Sequence, residues 1–133
     1  MIYLLDTNTI SDLIEGHQKV LMRLGQNITA GYSIGLCSPI YYEVMRGLLW
    51  QNLKQKQAIF SNTIRPQLDW ITTEEGDWLQ TIRFWVDSKK KGRQLSDIDL
   101  LIAALAHRLD AVIVSSDTDF DALPVKRENW RIP

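Results

Sequence analysis

The stretch SDIDLLIAALAHRLDAVIVSSD, residues 96–117, decides the fold. Its segment LLIAALA, Leu100–Ala106, is apolar on every side of a helical wheel, which predicts a helix in the protein interior. Ser96 and Asp99 have the S-x-x-D spacing of a capping box at the start of that helix. Ala111–Val114 then forms a short unbroken apolar run ending at Ser115-Ser116-Asp117, the pattern of a fully buried strand. An interior helix feeding such a strand points to a parallel sheet with helices on both faces.

The flanking sequence extends this pattern in both directions. Met1–Leu5 is an apolar run that stops at Asp6 and reads as a buried strand. Thr7-Asn8-Thr9 supplies side chains that start a helix over Ile10–Glu15. A second helix is expected over Val20–Ala30 and a second strand over Tyr32–Cys37. Ser38-Pro39 is an N-cap and first-turn pair for a helix reaching about Trp50. Another helix is expected from about Leu53 to Thr63, then a short strand at Leu68–Ile71. Thr72-Thr73-Glu74-Glu75 has the T-x-x-E spacing of a capping box and opens a long helix ending near Gly92. Trp130–Ile132 is expected to add a last short strand. With no internal repeat and no linker rich in Gly, Pro or Ser, residues 1–133 form a single domain. The predicted fold is three-layer α/β/α around a mainly parallel sheet.

Composition excludes several functions and selects none. Hydrophobic residues make up 45% and charged residues 23%, ordinary values for a soluble globular protein. No apolar stretch approaches the roughly 20 residues that span a bilayer. No basic leader precedes an apolar run, so no secretory signal is expected. Cys37 is the only cysteine, which excludes an internal disulfide and cysteine-rich zinc sites. A reducing cytoplasm is the simplest location. The net charge of −1 advertises no nucleic-acid partner, yet the charges segregate. Acids gather around residues 97–121, just after the basic run Lys89, Lys90, Lys91 and Arg93.

The chemistry lies in where the acids fall. Ligands of open parallel sheets bind beyond the carboxyl ends of the strands. Asp6 ends the first strand, and Asp117 lies just beyond the late one. Glu43 sits early in the helix after the second strand, and Asp99 in the first turn of the interior helix. Topology alone gathers these four acids along one edge. Carboxylates so placed repel one another unless a cation joins them, and Mg²⁺ or Mn²⁺ suits oxygen ligands. Such ions activate water, hold a phosphate and stabilise a leaving oxygen; a pair of them would stand roughly 3.5–4 Å apart. Each acid also has a plain structural reading: Asp6 and Asp99 as helix caps, Glu43 as a solvated side chain, and Asp117, Asp119 and Asp121 as turn residues. Asp97 points about 200° from Asp99 on a helix, so it reads as a helix-dipole acid or a supporting group.

Four segments in order, LLDTN at Leu4–Asn8, YEVMRG at Tyr42–Gly47, DLLIAALA at Asp99–Ala106 and SSDTDF at Ser115–Phe120, resemble PIN domains, most of all the VapC toxins of bacterial toxin–antitoxin pairs. The resemblance covers nearly the whole chain. It implies a Mg²⁺- or Mn²⁺-dependent endoribonuclease acting on RNA, often tRNA or ribosomal RNA. By carry-over, Asp6, Glu43 and Asp99 are the central acids and Asp117 the fourth, with Asp119 near a second metal. Thr7 or Asn8 would orient Asp6 or a water. A homodimer, and a small antitoxin whose tail covers the groove, are implied as well. Gln51–Arg93 carries no matching motif, so substrate choice is expected to reside there.

Other features have structural readings beside functional ones. The Lys89–Arg93 run suits a helix C-terminus, or RNA contact. Arg46, one turn from Glu43, suits an ion pair with it, or contact with phosphate or an antitoxin carboxylate. Trp50, Trp78 and Trp85 are expected in core or dimer packing rather than base stacking. His17 and His107 are expected in surface or packing roles. Three rival functions fit the residues less well. An aspartyl phosphatase would want a second Asp where Asn8 stands. A catalytically silent PIN-like binding module would not need every expected acid. A DNA-directed nuclease would want threading elements that a chain this small lacks.

Overall fold

Leu4 and Leu5, both fully buried, sit at the centre of a five-stranded sheet in the computed structural model, which describes residues 1–133. The strands are β1 (Ile2–Leu5), β2 (Ser33–Cys37), β3 (Asp69–Ile71), β4 (Val112–Val114) and β5 (Lys126–Glu128), in the order β3-β2-β1-β4-β5. Every pairing is parallel. The helices are α1 (Thr7–Ile14), α2 (Gln18–Thr29), α3 (Ser38–Trp50), α4 (Lys54–Ile59), α5 (Glu75–Lys90) and α6 (Asp97–Leu109). The architecture is the expected three-layer α/β fold. The chain builds outward from β1 in one direction through β2 and β3. It then crosses back to add β4 and β5 on the other side, which makes the β1/β4 boundary the topological switch point.

The interior helix is as buried as its composition requires: Leu100–Ala106 are all buried, from Leu101 at 7% exposure to Ile102, Ala103, Ala104 and Leu105 at none. Alanines at positions 103, 104 and 106 let α6 approach its neighbours closely. Gly35 does the same for the sheet, because a Cβ there would lie 2.9 Å from Leu4 Cδ2 and closer still to Ile71 Cδ1.

Several expected boundaries move. Asp6, not the Thr7–Thr9 trio, caps α1, and its carboxylate accepts from Thr7 N at 2.9 Å. The capping box of α5 is Glu74 with Asp77, two residues later than Thr72–Glu75, because Asp77 turns inward to meet Arg108. The helix expected to reach Thr63 loosens after Ile59 into a π turn at Phe60–Ile64, which buries Phe60 and Ile64. The last strand is Lys126–Glu128 rather than Trp130–Ile132. A charged edge strand lacks the apolar alternation that marks a strand in sequence. Trp130 instead fills the core, edge-on to Tyr3 at 5.5 Å. Trp50, Trp78 and Trp85 are not core residues, being 90%, 53% and 47% exposed. His17 caps α2 rather than lying in a free loop, and His107 stands edge-on to Phe84. No helix is long and apolar enough to cross a membrane.

Candidate active site

At the switch point, the carboxyl ends of β1 and β4 are fastened together by a polar network. Asp6 N donates to Val114 O at 3.0 Å, and the Thr9 hydroxyl donates to the same carbonyl at 2.7 Å. The Ser115 hydroxyl donates to Asp6 Oδ2 at 2.7 Å. Asn8 Nδ2 donates to Ser115 Oγ at 3.0 Å and reaches Asp6 Oδ2 at 3.3 Å, while Asn8 Oδ1 accepts from Ser116 N at 3.2 Å. Ser115 Oγ also accepts from Asp117 N at 3.0 Å. Asn8 and Ser115 therefore couple Asp6 to the backbone that carries Asp117, across more than a hundred residues of sequence.

Two further elements complete the site. Glu43, on the second turn of α3, accepts a short hydrogen bond from the Thr7 hydroxyl. Asp99 enters from the first turn of α6, where Ser96 Oγ accepts from its backbone N–H at 3.1 Å as the capping spacing predicts. Asp6, Glu43, Asp99 and Asp117 thus line one groove of about 520 Å³, with Thr7, Asn8, Ser11, Asp12, Glu15, Ser96 and Arg131. No hydrophobic residue lines it.

The electrostatics show the strain of that assembly. Asp6 is 4% exposed, and burial raises its pKa, with Glu43 and Asp117 adding to the rise. The donors Ser115 and Thr7 pull it back down. Burial and the nearby Asp6 charge push the Asp99 carboxyl up to about 6, with smaller contributions from Asp117 and Glu43. These carboxylates resist being charged together, which is the condition a bound cation relieves. No three His, Cys, Asp or Glu side chains are already arranged to hold a metal ion. Glu43 is held instead by Thr7 and by Arg46 at 3.7 Å. The donor set still fits a hard divalent cation, being all oxygen and short of positive charge.

A family profile described as PIN domain matches residues 3–126. The chain belongs to the PIN-domain family. It is 30% identical over 121 residues to Ribonuclease VapC1 of Haemophilus influenzae (strain R2866), with 86% of each chain covered. Two solved structures share the fold at 24% identity. FitAcB from Neisseria gonorrhoeae matches over 100% of both chains with a TM-score of 0.84. VapBC2 from Rickettsia felis, bound to a DNA fragment from its promoter, matches over 98% of this chain and 99% of that one, with a TM-score of 0.82.

All four central acids line the groove of this PIN domain, and the two acids expected around them, Asp97 and Asp119, do not. Asp97 is exposed and lies outside the groove. Asp119 is also exposed, and it contributes its backbone N–H, which donates to Asp117 Oδ1 at 2.8 Å. It borders a neighbouring cleft with Arg93, Gln94 and Leu95. Lys89, Lys90, Lys91 and Arg93 are exposed and do not line the groove; Lys89 Nζ lies 5.6 Å from the Trp85 ring centre. Arg46 lies over the Tyr42 ring at 4.9 Å while paired with Glu43.

Sequence reasoning missed Ser115, Asp12 and Arg131. Ser115 had one available signal, its place between a buried strand and Asp117. Arg131 had none, because its partner Asp12 is 119 residues away.

Proposed function

We propose that this PIN domain is a metal-dependent endoribonuclease, the toxin of a toxin–antitoxin pair. The observation that carries this reading is the meeting of Asp6, Glu43, Asp99 and Asp117, from four separate elements, in one polar groove at the β1/β4 switch point. Its similarity to Ribonuclease VapC1 supports the same reading. Asp6, Glu43, Asp99 and Asp117 would hold Mg²⁺ or Mn²⁺. The ion would supply the charge that makes water a nucleophile and stabilises an oxyanion leaving group.

The chain's own residues supply the preorganisation. Hydrogen bonds from Ser115, Asn8 and Thr7 N–H favour the ionised form of Asp6 and oppose the cost of burial. The Thr7 hydroxyl orients Glu43, which α3 presents from the opposite side of the groove. Asp119 N–H fixes Asp117. Substrate, taken as tRNA or ribosomal RNA, would cross this edge with its scissile phosphate over the acids.

An antitoxin tail would lie in a cleft of about 220 Å³ continuous with the groove. The cleft shares Thr7, Ser11, Glu15 and Glu43 with it and adds an apolar floor of Ile14, Val44, Leu48 and Leu53. Such a surface suits an amphipathic peptide carrying basic side chains towards the acids. The apolar stripe of α5, exposing Trp78, Leu79, Ile82, Trp85 and Val86, supports homodimer formation. The cytoplasm, where RNA and antitoxin both reside, is the proposed location.

The test is incubation of purified, partner-free protein with total and tRNA-enriched RNA in Mg²⁺, Mn²⁺ or EDTA, beside an Asp6→Ala variant. Cleavage at few sites, abolished by EDTA and by the substitution, is the expected result. Cleavage persisting in either control would defeat the metal–carboxylate mechanism.

A further inference from the structure

Six carboxylates line the groove, from Asp6, Asp12, Glu15, Glu43, Asp99 and Asp117, and a single cation does, from Arg131. A polyanion entering that groove meets repulsion everywhere except at this guanidinium. Three features show that Arg131 is held there rather than dangling. Trp130, its neighbour in sequence, is 1% exposed and locked against Tyr3, and its indole N–H donates to Glu128 Oε1 at 3.3 Å. Arg131 N donates to Asn129 Oδ1 at 3.0 Å. Arg131 Nε and Nη2 then grip the buried Asp12 carboxylate of α1 at 2.6 and 3.0 Å.

That grip uses one edge of the guanidinium fork. A guanidinium carries five N–H donors, so those on Nη1 stay free of Asp12. The side chain remains 42% exposed. Other arginines near the site are committed elsewhere: Arg127 is bidentate to Asp121 and bonded to Ser115 O, and Arg46 is paired with Glu43.

We propose that Arg131, aimed by Asp12 and anchored through Trp130, positions RNA by binding a backbone phosphate beside the acid cluster. Arg131 is a positioning residue, and Asp12 acts only through it. The inference rests on the ribonuclease reading, since it names how that site takes its substrate.

Arg131→Gln alone strands a buried Asp12 carboxylate and risks unfolding. The informative variant is therefore the double Asp12→Asn/Arg131→Gln, which removes both charges together, with Arg131→Lys beside it. Steady-state cleavage of a single-stranded RNA oligonucleotide in Mn²⁺ is measured across a salt series. Binding of the same oligonucleotide is followed by fluorescence anisotropy in an Asp99→Asn background. The double variant should raise KM about tenfold, the size of one lost charge-assisted bond, with kcat nearly unchanged. Its slope of log affinity against log salt should be shallower by about 0.7, the value for one phosphate contact on a single strand. Arg131→Lys should recover part of the affinity and most of the slope. An unchanged KM and slope in a folded double variant would overturn the proposal while leaving the ribonuclease reading standing. A wild-type protein that neither cleaves nor binds RNA would overturn both.

Discussion

Asp6 and Asp77 are both buried carboxylates, 4% and 1% exposed, and they have opposite surroundings. Asp77, on α5, is matched by a cation: Arg108 Nε and Nη2 meet it at 2.8 and 3.1 Å, and Glu74 N donates to it at 2.8 Å. Arg108 also donates to Thr72 O at 3.3 Å, so the pair closes the entry to α5 onto α6. Asp6 has hydroxyl and amide donors but no cation, and it shares its groove with further acids. Asp12 stands between the two cases, paired with Arg131 yet facing the groove. A buried acid with its own counter-ion completes a structure. A buried acid among other acids leaves negative charge for a ligand to balance, and that is how the candidate site differs from the contact between α5 and α6.

Substitution should separate the two carboxylates. Asp6→Asn should lower RNA cleavage on the order of a thousandfold, as removal of one preorganised charge-stabilising group does elsewhere. Its thermal midpoint should not fall, and cleavage assays beside thermal melts check both halves. Arg108→Met should do the reverse. It leaves Asp77 buried and unpaired, costing about 3–5 kcal/mol in urea unfolding, with activity per folded molecule retained. An Arg108 variant that kept its stability would erase the distinction between the two ends.

Metal binding should sharpen the contrast. At about a hundred times its dissociation constant, Mn²⁺ should stabilise the native protein by about 2.7 kcal/mol. Asp6→Asn should lose most of that gain in thermal melts, whereas any Arg108 variant that folds should keep it.

The smallest effect is the pH dependence of the metal-free protein. Asp99 has a folded pKa raised to about 6 from an ordinary 3.8, chiefly by burial and then by Asp6. A group raised in this way favours the folded state fully below the lower value and loses that contribution as pH climbs through the higher one. Metal-free stability should therefore decline between about pH 4 and 6 through Asp99. Asp99→Asn should flatten that decline and gain about 1 kcal/mol at pH 7, after allowance for solvent screening. Melts in EDTA across pH measure it, and a steeper decline in the variant would contradict the account.

How legible the molecule was in sequence follows from the range of each interaction. The strands at Met1–Leu5 and Ala111–Val114 and the interior helix are readable because burial leaves a nearly unbroken apolar run, and Tyr32–Cys37 because it is short, mostly apolar and ends at Ser38-Pro39. Lys126–Glu128 is not, since an edge strand carries charges that read as a loop. Asp6, Glu43, Asp99 and Asp117 could be placed on one edge because each follows a strand or opens a helix. Asp119 lies outside the groove and meets Asp117 through its backbone N–H, a contact that no sequence spacing marks. The exposure of Trp50, Trp78 and Trp85 removes the core reading and leaves dimer packing, because helical spacing marks a face without saying what covers it.

Local pattern thus sets the alternation of strand and helix, the burial of α6, and the edge on which the acids gather. These follow from local periodicity and from the rule that parallel strands return in one direction. Which acids are neutralised and which face one another depends on how the chain packs. Arg108 reaches Asp77 across 31 residues, Ser115 reaches Asp6 across 109, and Arg131 reaches Asp12 across 119. Charge pairing depends on distance in space, which falls into place only after the core has packed.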